Sequence, residues 1–256
     1  MLVMALVMSL SACKDGGAVT SNPGAANGAS SKTAEDLPKE FTTFEEAVEA
    51  NEAMEKSFKS YRIKSNTDMK MTYEGTEISV KSEEDTVCEK IGTDTEFSIY
   101  IDFVQDNNGV KTNTSTFSDT KKQYMKDAAG AWMETGEAPK VDETDAMVKE
   151  IGGKLEKVSD GYTLTVDLSG DEFIEKITKF MGFEEVMSVT KVETFVIVLK
   201  IDNNARPVNT STEFKITMKV EGVEMPCEGK MIGIYSDFNT AKITVPDING
   251  AQTGNA

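Results

Sequence analysis

The chain has 256 residues, a hydrophobic content of 39% and a formal net charge of −17. This length and hydrophobic content allow one sizeable domain with a packed core. The negative charge argues against nucleic acid or an anionic lipid surface as a partner, because both would repel the chain. The absence of histidine excludes His-based triads and most catalytic zinc sites.

The N-terminal segment MLVMALVMSLSAC places an apolar stretch before Leu-Ser-Ala-Cys. The stretch is too short to span a bilayer and fits the hydrophobic region of a signal peptide. Leu-Ser-Ala-Cys resembles the lipobox of bacterial lipoproteins, which implies that residues 1–12 are removed and that Cys13 is lipidated. No Lys or Arg precedes the stretch, so either the true start lies upstream or the export signal is weak; we favour the first.

Residues 13–40 are predicted to be a flexible tether that follows the lipidated cysteine. They are dominated by Gly, Ala, Ser and Asn and lack apolar periodicity. We therefore expect a protein held by its lipid on the extracytoplasmic face of the cell membrane, and more than one acyl chain would make that anchoring stable.

The folded part opens with a predicted helix over residues 42–59, which has a threonine N-cap and apolar residues at helical spacing. Strands are predicted over 60–73, 77–90 and 95–104. Short turns join them, and such connections favour antiparallel neighbours.

The first of these strands, YRIKSNTDMKMTY, raises the functional question. Ile63, Met69 and Met71 lie on one face and alternate with polar residues, so this face must be covered by helices, by a ligand, or by both. Ser65 and Thr67 interrupt the apolar face.

The rest of the chain alternates predicted strands with two predicted helices. The helices are expected over 141–151 and 171–183, and the strands within 111–127 and over 131–133, 162–168, 190–202, 212–220, 230–238 and 241–247. Runs of strands interrupted by a few helices indicate an α+β fold with an antiparallel sheet. We expect a single domain over residues 41–248 and a disordered tail over 249–256.

Catalytic motifs are missing from the sequence. There is no GxSxG, no phosphate-cradling GxxxxGK and no GxGxxG. The carboxylate pairs Glu83-Glu84 and Glu184-Glu185 could support glycosidase chemistry, but in an acidic chain such pairs are more often solvated surface. The acidic turns lack the spacing of a calcium loop. We expect no enzyme activity, no cofactor and no metal site.

Two cysteines remain once Cys13 is assigned to the lipid. Cys88 and Cys227 could form a disulfide that joins the two halves of the sheet, or could be two separate buried thiols. The sequence alone does not decide between them, because the pairing depends on the distance between the two Cα atoms.

Several stretches of the sequence together resemble a Gram-positive lipoprotein family of uncharacterised function, similar in layout to the LolA, LolB and LppX/LprG lipoprotein carriers. Besides the lipobox and tether, they are KSYRIKSNTDMKM, QYMKDAAGAWMETG, YTLTVDLSGDEFIEKI, IDNNARPVNTSTEFKITMKVEG and SDFNTAKITVP. The resemblance covers most of residues 42–246. It is a match of sequence pattern and not of a catalytic motif. It implies an unclosed, curved antiparallel sheet, a half-barrel, with about three helices on its concave face and a space that holds acyl chains.

The residues suggest what would line such a space. Methionine suits a lining that must accept irregular chains, and the chain has 14 methionines. The predicted cavity residues are Ile63, Met69, Met71, Ile99, Ile101, Phe214, Ile216 and Met218. We expect a membrane-anchored lipoprotein that binds a hydrophobic or lipid-like ligand, as carrier or sensor. The alternative is a cell-surface structural or protein-interaction module with a filled core, no ligand and an envelope protein as its partner.

Overall fold

The computed structural model describes residues 40–93, 96–127, 129–138, 151–180, 187–220, 222–248 and 251–253. Within them lie two α-helices, α1 (Phe44–Ser57) and α2 (Ile174–Phe180), and a 3-10 helix (Asp171–Phe173). The strands are β1 (Ser60–Tyr73), β2 (Thr76–Glu89), β3 (Ser98–Asn107), β4 (Val110–Ser118), β5 (Lys122–Lys126), β6 (Trp132–Glu137), β7 (Lys154–Val158), β8 (Gly161–Asp167), β9 (Met187–Asp202), β10 (Pro207–Val220), β11 (Val223–Ser236) and β12 (Gln252–Thr253).

All these strands belong to one sheet in the order β12-β6-β5-β4-β3-β2-β1-β11-β10-β9-β8-β7. The described pairings are antiparallel except that of β12 with β6. The sheet is curved and unclosed, with β12 and β7 at its edges. The predicted unclosed, curved antiparallel sheet is therefore confirmed.

Helix α1 begins where the sequence predicts. Thr43 caps it, because its Oγ1 accepts a hydrogen bond from Glu46 N at 3.2 Å, while Glu46 Oε2 accepts from Thr43 N at 3.4 Å. Phe44, Ala47 and Val48 are buried on its apolar side. The helix is thus fixed at its start and packed along one stripe.

Strand β1 shows why the sheet has two unlike faces. Ile63 and Met69 are buried, whereas Lys64 and Lys70 are exposed. We call the face that carries the odd-numbered residues of β1, on which α1 packs, the inner face, and the opposite face the outer face. Cross-strand pairing extends both faces over the neighbouring strands.

The inner face carries two apolar clusters. The first cluster lies between α1, α2 and strands β8 to β11, and includes the ends of β1 and β2 around Met71 and Val80. The second cluster consists of Phe58, Tyr61, Ile63, Cys88, Phe97, Ile99 and Ile101. Met54 of α1 packs against both clusters and connects them.

The helix count differs from the sequence prediction. The described residues contain two α-helices rather than about three, and residues 141–150 of the predicted middle helix lie outside them. The third predicted helix is present but is split into the 3-10 helix and the seven-residue α2. The short helices leave the sheet as the dominant element of the fold.

Three strand assignments also differ. β7, with the sequence KLEKV, was missed because it is short and mostly charged. The strand predicted over 241–247 is wrong: this segment has no strand, and the Ile243 N–H bonds to the Glu89 side chain instead of a neighbouring strand. Within the tail predicted to be disordered, Gln252–Thr253 forms β12 and pairs with β6.

The disulfide between Cys88 and Cys227, one of the two alternatives that the sequence left open, does not form. Cys227 is free and buried. In the sheet, Cys227 lies opposite Met71 of β1, whereas Cys88 lies opposite Tyr61 of the same strand. From residue 61 to residue 71 the strand extends about 33 Å, far beyond the ~7 Å that a disulfide allows between Cα atoms. Burial raises the pKa of the Cys227 thiol to about 12.

The predicted lipidation site at Cys13 lies outside the described residues, as does the predicted signal peptide. Of the helices that the structure describes, none combines the length and the hydrophobicity needed to cross a membrane.

Candidate ligand-binding site

Strand pairing places all eight predicted cavity residues on the inner face, and all are buried. They fall into two groups. Met69, Met71, Phe214, Ile216 and Met218 belong to the first cluster, and Ile63, Ile99 and Ile101 to the second. The structure therefore collects these residues on one face but in two separate clusters; their contact with a ligand stays a prediction.

The first cluster is rich in methionine. Besides the three predicted methionines it contains Met225 and Met231, and Met54 packs against it. Met225 was not predicted because the strand was expected to begin at residue 230, whereas Met231 lies within the predicted strand but was not assigned to the cavity. The signal was present, since Met225, Cys227, Gly229 and Met231 alternate with exposed residues. Unbranched, polarizable methionine side chains can repack around chains of different shape.

Helix α1 crosses one end of the inner face. The Phe41 ring, just before the helix, lies 5.0 Å from the Tyr162 ring on β8, and Asn51 Nδ2 donates to Ala205 O at 2.9 Å. Beyond the other end of the helix, Phe58 packs next to Tyr61 of β1. Fourteen residues of helix extend about 21 Å, which matches the ~19 Å between β8 and β1.

Helix α2 covers β9 toward the opposite end of the strands. Ile177 is fully buried, and Thr178 Oγ1 accepts from Val189 N at 3.4 Å. The pairing of β9 with β10 shifts register near Val192. The backbone N–H of Val192 donates instead to Asp171 Oδ1, at 2.9 Å, in the 3-10 helix that precedes α2. These side chains fix α2 against the irregular part of β9.

A band of polar residues crosses the inner face between the two helices. We call it the polar band: Ser65, Thr67, Ser82, Glu84, Gln105, Thr210 and Thr212. Cross-strand pairing joins its members. Ser65 lies opposite Glu84, and Thr67 opposite Ser82. The band separates Ile63 of the second cluster from Met69 of the first along β1.

Gly233 of β11 lies within this band, opposite both Ser65 and Thr210. A Cβ atom at this position would lie 2.9 Å from Thr210 Oγ1 and 3.4 Å from Ser65 Oγ. The missing side chain therefore lets the two hydroxyls approach each other across β11.

Glu84 differs from its sequence interpretation. Glu83 is exposed, as expected of solvated surface, but Glu84 is only 7% exposed and points inward. Its Oε1 accepts a hydrogen bond from the Thr86 hydroxyl at 2.5 Å. The alternation of Ser82, Glu84 and Thr86 with exposed or half-buried residues was the signal for this inner-face group. Glu184-Glu185 lies outside the described residues.

The outer face carries a cleft of a different kind. Its volume is about 680 Å³, and its lining is mostly charged: Asp68, Lys70, Thr194, Glu213, Phe214, Lys215, Glu228, Gly229 and Lys230. Beside it, Glu193 Oε1 and Oε2 lie 2.7 Å from the Nζ atoms of Lys191 and Lys215, and these bonds lower the pKa of Glu193 to about 2. Such exposed pairs contribute little to stability, and Phe214 is the large apolar side chain in a lining that is otherwise mostly charged.

In the part of the chain that the structure describes, no three acidic or cysteine side chains converge as a metal site would require.

Comparison with known proteins finds a family model that matches part of the chain. Residues 138–249 match a family of unknown function (DUF6612). This match covers less than half of the 256 residues. No curated protein matches the chain.

Similar solved structures are distant. A DUF1329 family protein from Desulfovibrio piger is 12% identical, with 81% of this chain and 97% of that chain covered and a TM-score of 0.32. Lipovitellin, from a structure titled for its lipid–protein interactions, is 9% identical, with 73% and 26% covered and a TM-score of 0.34. DynF from the dynemicin pathway of Micromonospora chersina is 7% identical, with 69% and 79% covered and a TM-score of 0.24. Likenesses at this level carry no argument about function.

Proposed function

We propose that this chain is a lipid-anchored extracytoplasmic protein that binds a hydrophobic or lipid-like ligand, as carrier or sensor, on the inner face of a half-barrel sheet. It acts without catalysis and without a cofactor. The anchor is the lipidated Cys13, and the flexible tether of residues 13–40 lets the domain stand away from the membrane.

The observation that carries this proposal is the wide, methionine-rich apolar inner face. β1, β2, β9, β10 and β11 each have at least 14 residues and extend about 46 Å or more. The two described α-helices are about 21 Å and 10 Å long. Helices of this size span part of such a face, and a ligand would insert between them and the sheet by replacing contacts that now bury the apolar side chains.

The chemistry of the lining supports an apolar ligand of variable shape. Each apolar Å² that ligand and protein bury contributes roughly 25 cal/mol, and methionine adapts to irregular chains. The strands place charged residues such as Lys70 and Lys215 on the outer face, so the two apolar clusters themselves demand no charged partner.

Native mass spectrometry with organic extraction tests the proposal. The full chain, carrying Cys13→Ala to remove the predicted lipidation site, is expressed and purified without detergent. We expect co-purified species of defined mass that the double variant Met69→Trp/Ile216→Trp no longer retains, because larger side chains fill the first cluster. The matched control is Lys70→Trp/Lys215→Trp, which adds the same rings to the outer face one residue away and should keep the ligand.

A clean apo mass for the parent chain, unchanged after incubation with lipid vesicles, would contradict the proposal. So would equal retention of ligand by the inner-face and outer-face tryptophan variants.

The alternative function, a cell-surface protein-interaction module with a filled core, is favoured by one observation. Ile232 and Ile234 on the outer face of β11 are 40% and 53% exposed, and adjacent exposed apolar side chains are typical of contact surfaces. If the module reading is correct, Ile232→Glu/Ile234→Glu abolishes association with an envelope protein while the Met69→Trp/Ile216→Trp variant leaves it unchanged.

A further inference from the structure

We infer that the polar band binds the polar group of an amphiphilic ligand, and that this group is neutral or cationic and donates hydrogen bonds. The inference rests on the proposed function, because it assigns the part of the ligand that lies between the two apolar clusters.

The hydroxyls of the polar band have room for a hydrogen-bonding partner. Among the described residues, the hydroxyls of Ser65, Thr67, Ser82, Thr210 and Thr212 make no hydrogen bond, and none is sealed from solvent without a partner. Polar groups on a buried face are costly when they have no partner. Water can satisfy them in the free protein, and a polar ligand group can replace such water.

Exposure along β1 indicates a gap at the same place. Ile63 and Met69 are 3% and 6% exposed, whereas Ser65 and Thr67 between them are half-buried. All four lie on the inner face. On β1 the surface is therefore closed at the apolar clusters and accessible at Ser65 and Thr67. Thr210 of the band is also half-buried, whereas its remaining members, Ser82, Glu84, Gln105 and Thr212, are buried.

The spacing fits a small polar group with apolar surface on both sides. Ser65 and Thr67 are about 7 Å apart along the strand, and Ile63 and Met69 about 20 Å apart. A ligand of this length would place a hydroxyl, amine or amide over the band and hydrocarbon over one or both clusters.

The charge of the band selects against anions. Glu84 is the charged residue of the band, and its carboxylate accepts hydrogen bonds but cannot donate them when ionised. Every Lys and Arg of β1, β2, β10 and β11 lies on the outer face: Arg62, Lys64, Lys70, Lys81, Lys215, Lys219 and Lys230. No cation of these strands is placed to bind a phosphate, sulfate or carboxylate on the inner face.

Single-chain probes that differ in their polar group test this inference. Dodecylammonium, dodecanol, dodecyl sulfate and dodecane are titrated, each below its micelle concentration or as a dilute dispersion, against the full chain carrying Cys13→Ala by displacement of a fluorescent apolar dye. We expect dodecylammonium and dodecanol to displace the dye at concentrations at least about tenfold lower than dodecyl sulfate, a factor equivalent to ~1.4 kcal/mol.

Two isosteric variants distinguish the effect of the polar band on ligand preference from the effect of the protein's net charge. Glu84→Gln should reduce the preference for dodecylammonium over dodecyl sulfate to less than about threefold, whereas Glu83→Gln removes the same charge from the outer face and should leave the preference intact. Thr67→Val/Thr212→Val should weaken dodecanol about tenfold and leave dodecane unchanged.

The outcomes separate this inference from the proposed function. Binding of all probes regardless of polar group, or equal effects of Glu84→Gln and Glu83→Gln, overturns the inference and leaves the proposed function standing. Failure of every probe, dodecane included, overturns both.

Discussion

At the scale of single residues, Cys227 shows how pairing in a sheet decides chemistry that a sequence leaves open. Its place opposite Met71 removes it from Cys88 and buries it in the first cluster. The acidic Glu228 beside it adds to the effect of burial, and both raise the pKa of the thiol. Because the thiolate is the reactive form, both the burial of Cys227 and its raised pKa lower the reactivity of this thiol.

We predict that Cys227 resists alkylation in the folded protein. At pH 8 a thiol with a pKa of about 12 is about 0.01% thiolate, so iodoacetamide should label it only after denaturation with urea. Peptide mass spectrometry reads the labelled fraction. Rapid labelling of Cys227 without urea, or a peptide that joins Cys88 to Cys227 without reductant, would show that the assigned register is wrong.

Glu193 carries a pH prediction. Its hydrogen bonds to Lys191 and Lys215 lower its folded pKa from 4.5 to about 2. A lowered folded pKa means that the pairing stabilises the fold above pH 4.5 and that this contribution disappears as the pH falls from 4.5 to 2. The stability difference between wild type and Glu193→Gln should therefore shrink over this window.

Urea unfolding of both proteins at pH 6, 4 and 2 measures the difference, which should be small because the group is solvent-exposed. At high salt the difference at pH 6 should shrink as well. A difference that is constant from pH 6 to pH 2, or an NMR titration of Glu193 near pH 4.5, would rule out the two lysine contacts.

At the scale of elements, the segment after β11 is held on the sheet by a side chain. Glu89 at the end of β2 is buried, and its two oxygens accept hydrogen bonds from Ile243 N at 2.6 Å and Lys242 Nζ at 2.5 Å. Further along, Gln252–Thr253 pairs with β6. The segment therefore connects the end of β2 with the far edge of the sheet.

We predict that Glu89→Ala releases this segment without unfolding the sheet. Hydrogen bonds to a charged group contribute roughly 1.5–3 kcal/mol, so amide exchange over residues 241–248 should accelerate by at least about tenfold while β1 and β11 stay protected. Hydrogen exchange with mass spectrometry reads both. Glu83→Ala, an exposed carboxylate on the same strand, is the control; if both variants exchange alike, Glu89 does not hold the segment.

The elements also show which parts of the fold can be predicted from the sequence. The parity of β1 predicts its bounds, its buried residues and its polar interruption, because period-two patterns survive in long strands with one wet face. The sequence does not predict β7, because its five residues include three charged ones and show no alternation of apolar and polar side chains. Residues 241–247 alternate like a strand, but a strand needs a neighbouring backbone, and a Glu89 oxygen takes the Ile243 donor instead.

For the candidate site, the feature that the sequence does not predict is the register between neighbouring strands. The eight cavity residues follow from alternation within each strand, and all are buried on the inner face. That they separate into two clusters, and that Glu84 lies beside Ser65 between them, depends on which residues face each other across strands. A single sequence does not contain that pairing.

At the scale of the whole molecule, the fold sorts its residues by face. The outer face carries the ion pairs and the charged cleft, as Lys81 with Asp68 and Lys70 with Glu77 show. The inner face carries methionine-rich apolar surface divided by the polar band. This division predicts that a hydrophobic ligand contacts the odd-numbered residues of β1 and avoids the even-numbered ones.

Photo-crosslinking tests that central claim most directly. A twelve-carbon alkyl chain bearing a diazirine is bound to the full chain, irradiated and mapped by peptide sequencing across residues 61–73. The account predicts adducts on the odd-numbered positions, with Met69 and Met71 foremost, and their loss when excess unlabelled dodecanol competes. Adducts on Lys64, Asn66 or Lys70, or adducts that do not compete, would place the ligand on the outer face or nowhere specific, and would contradict the account.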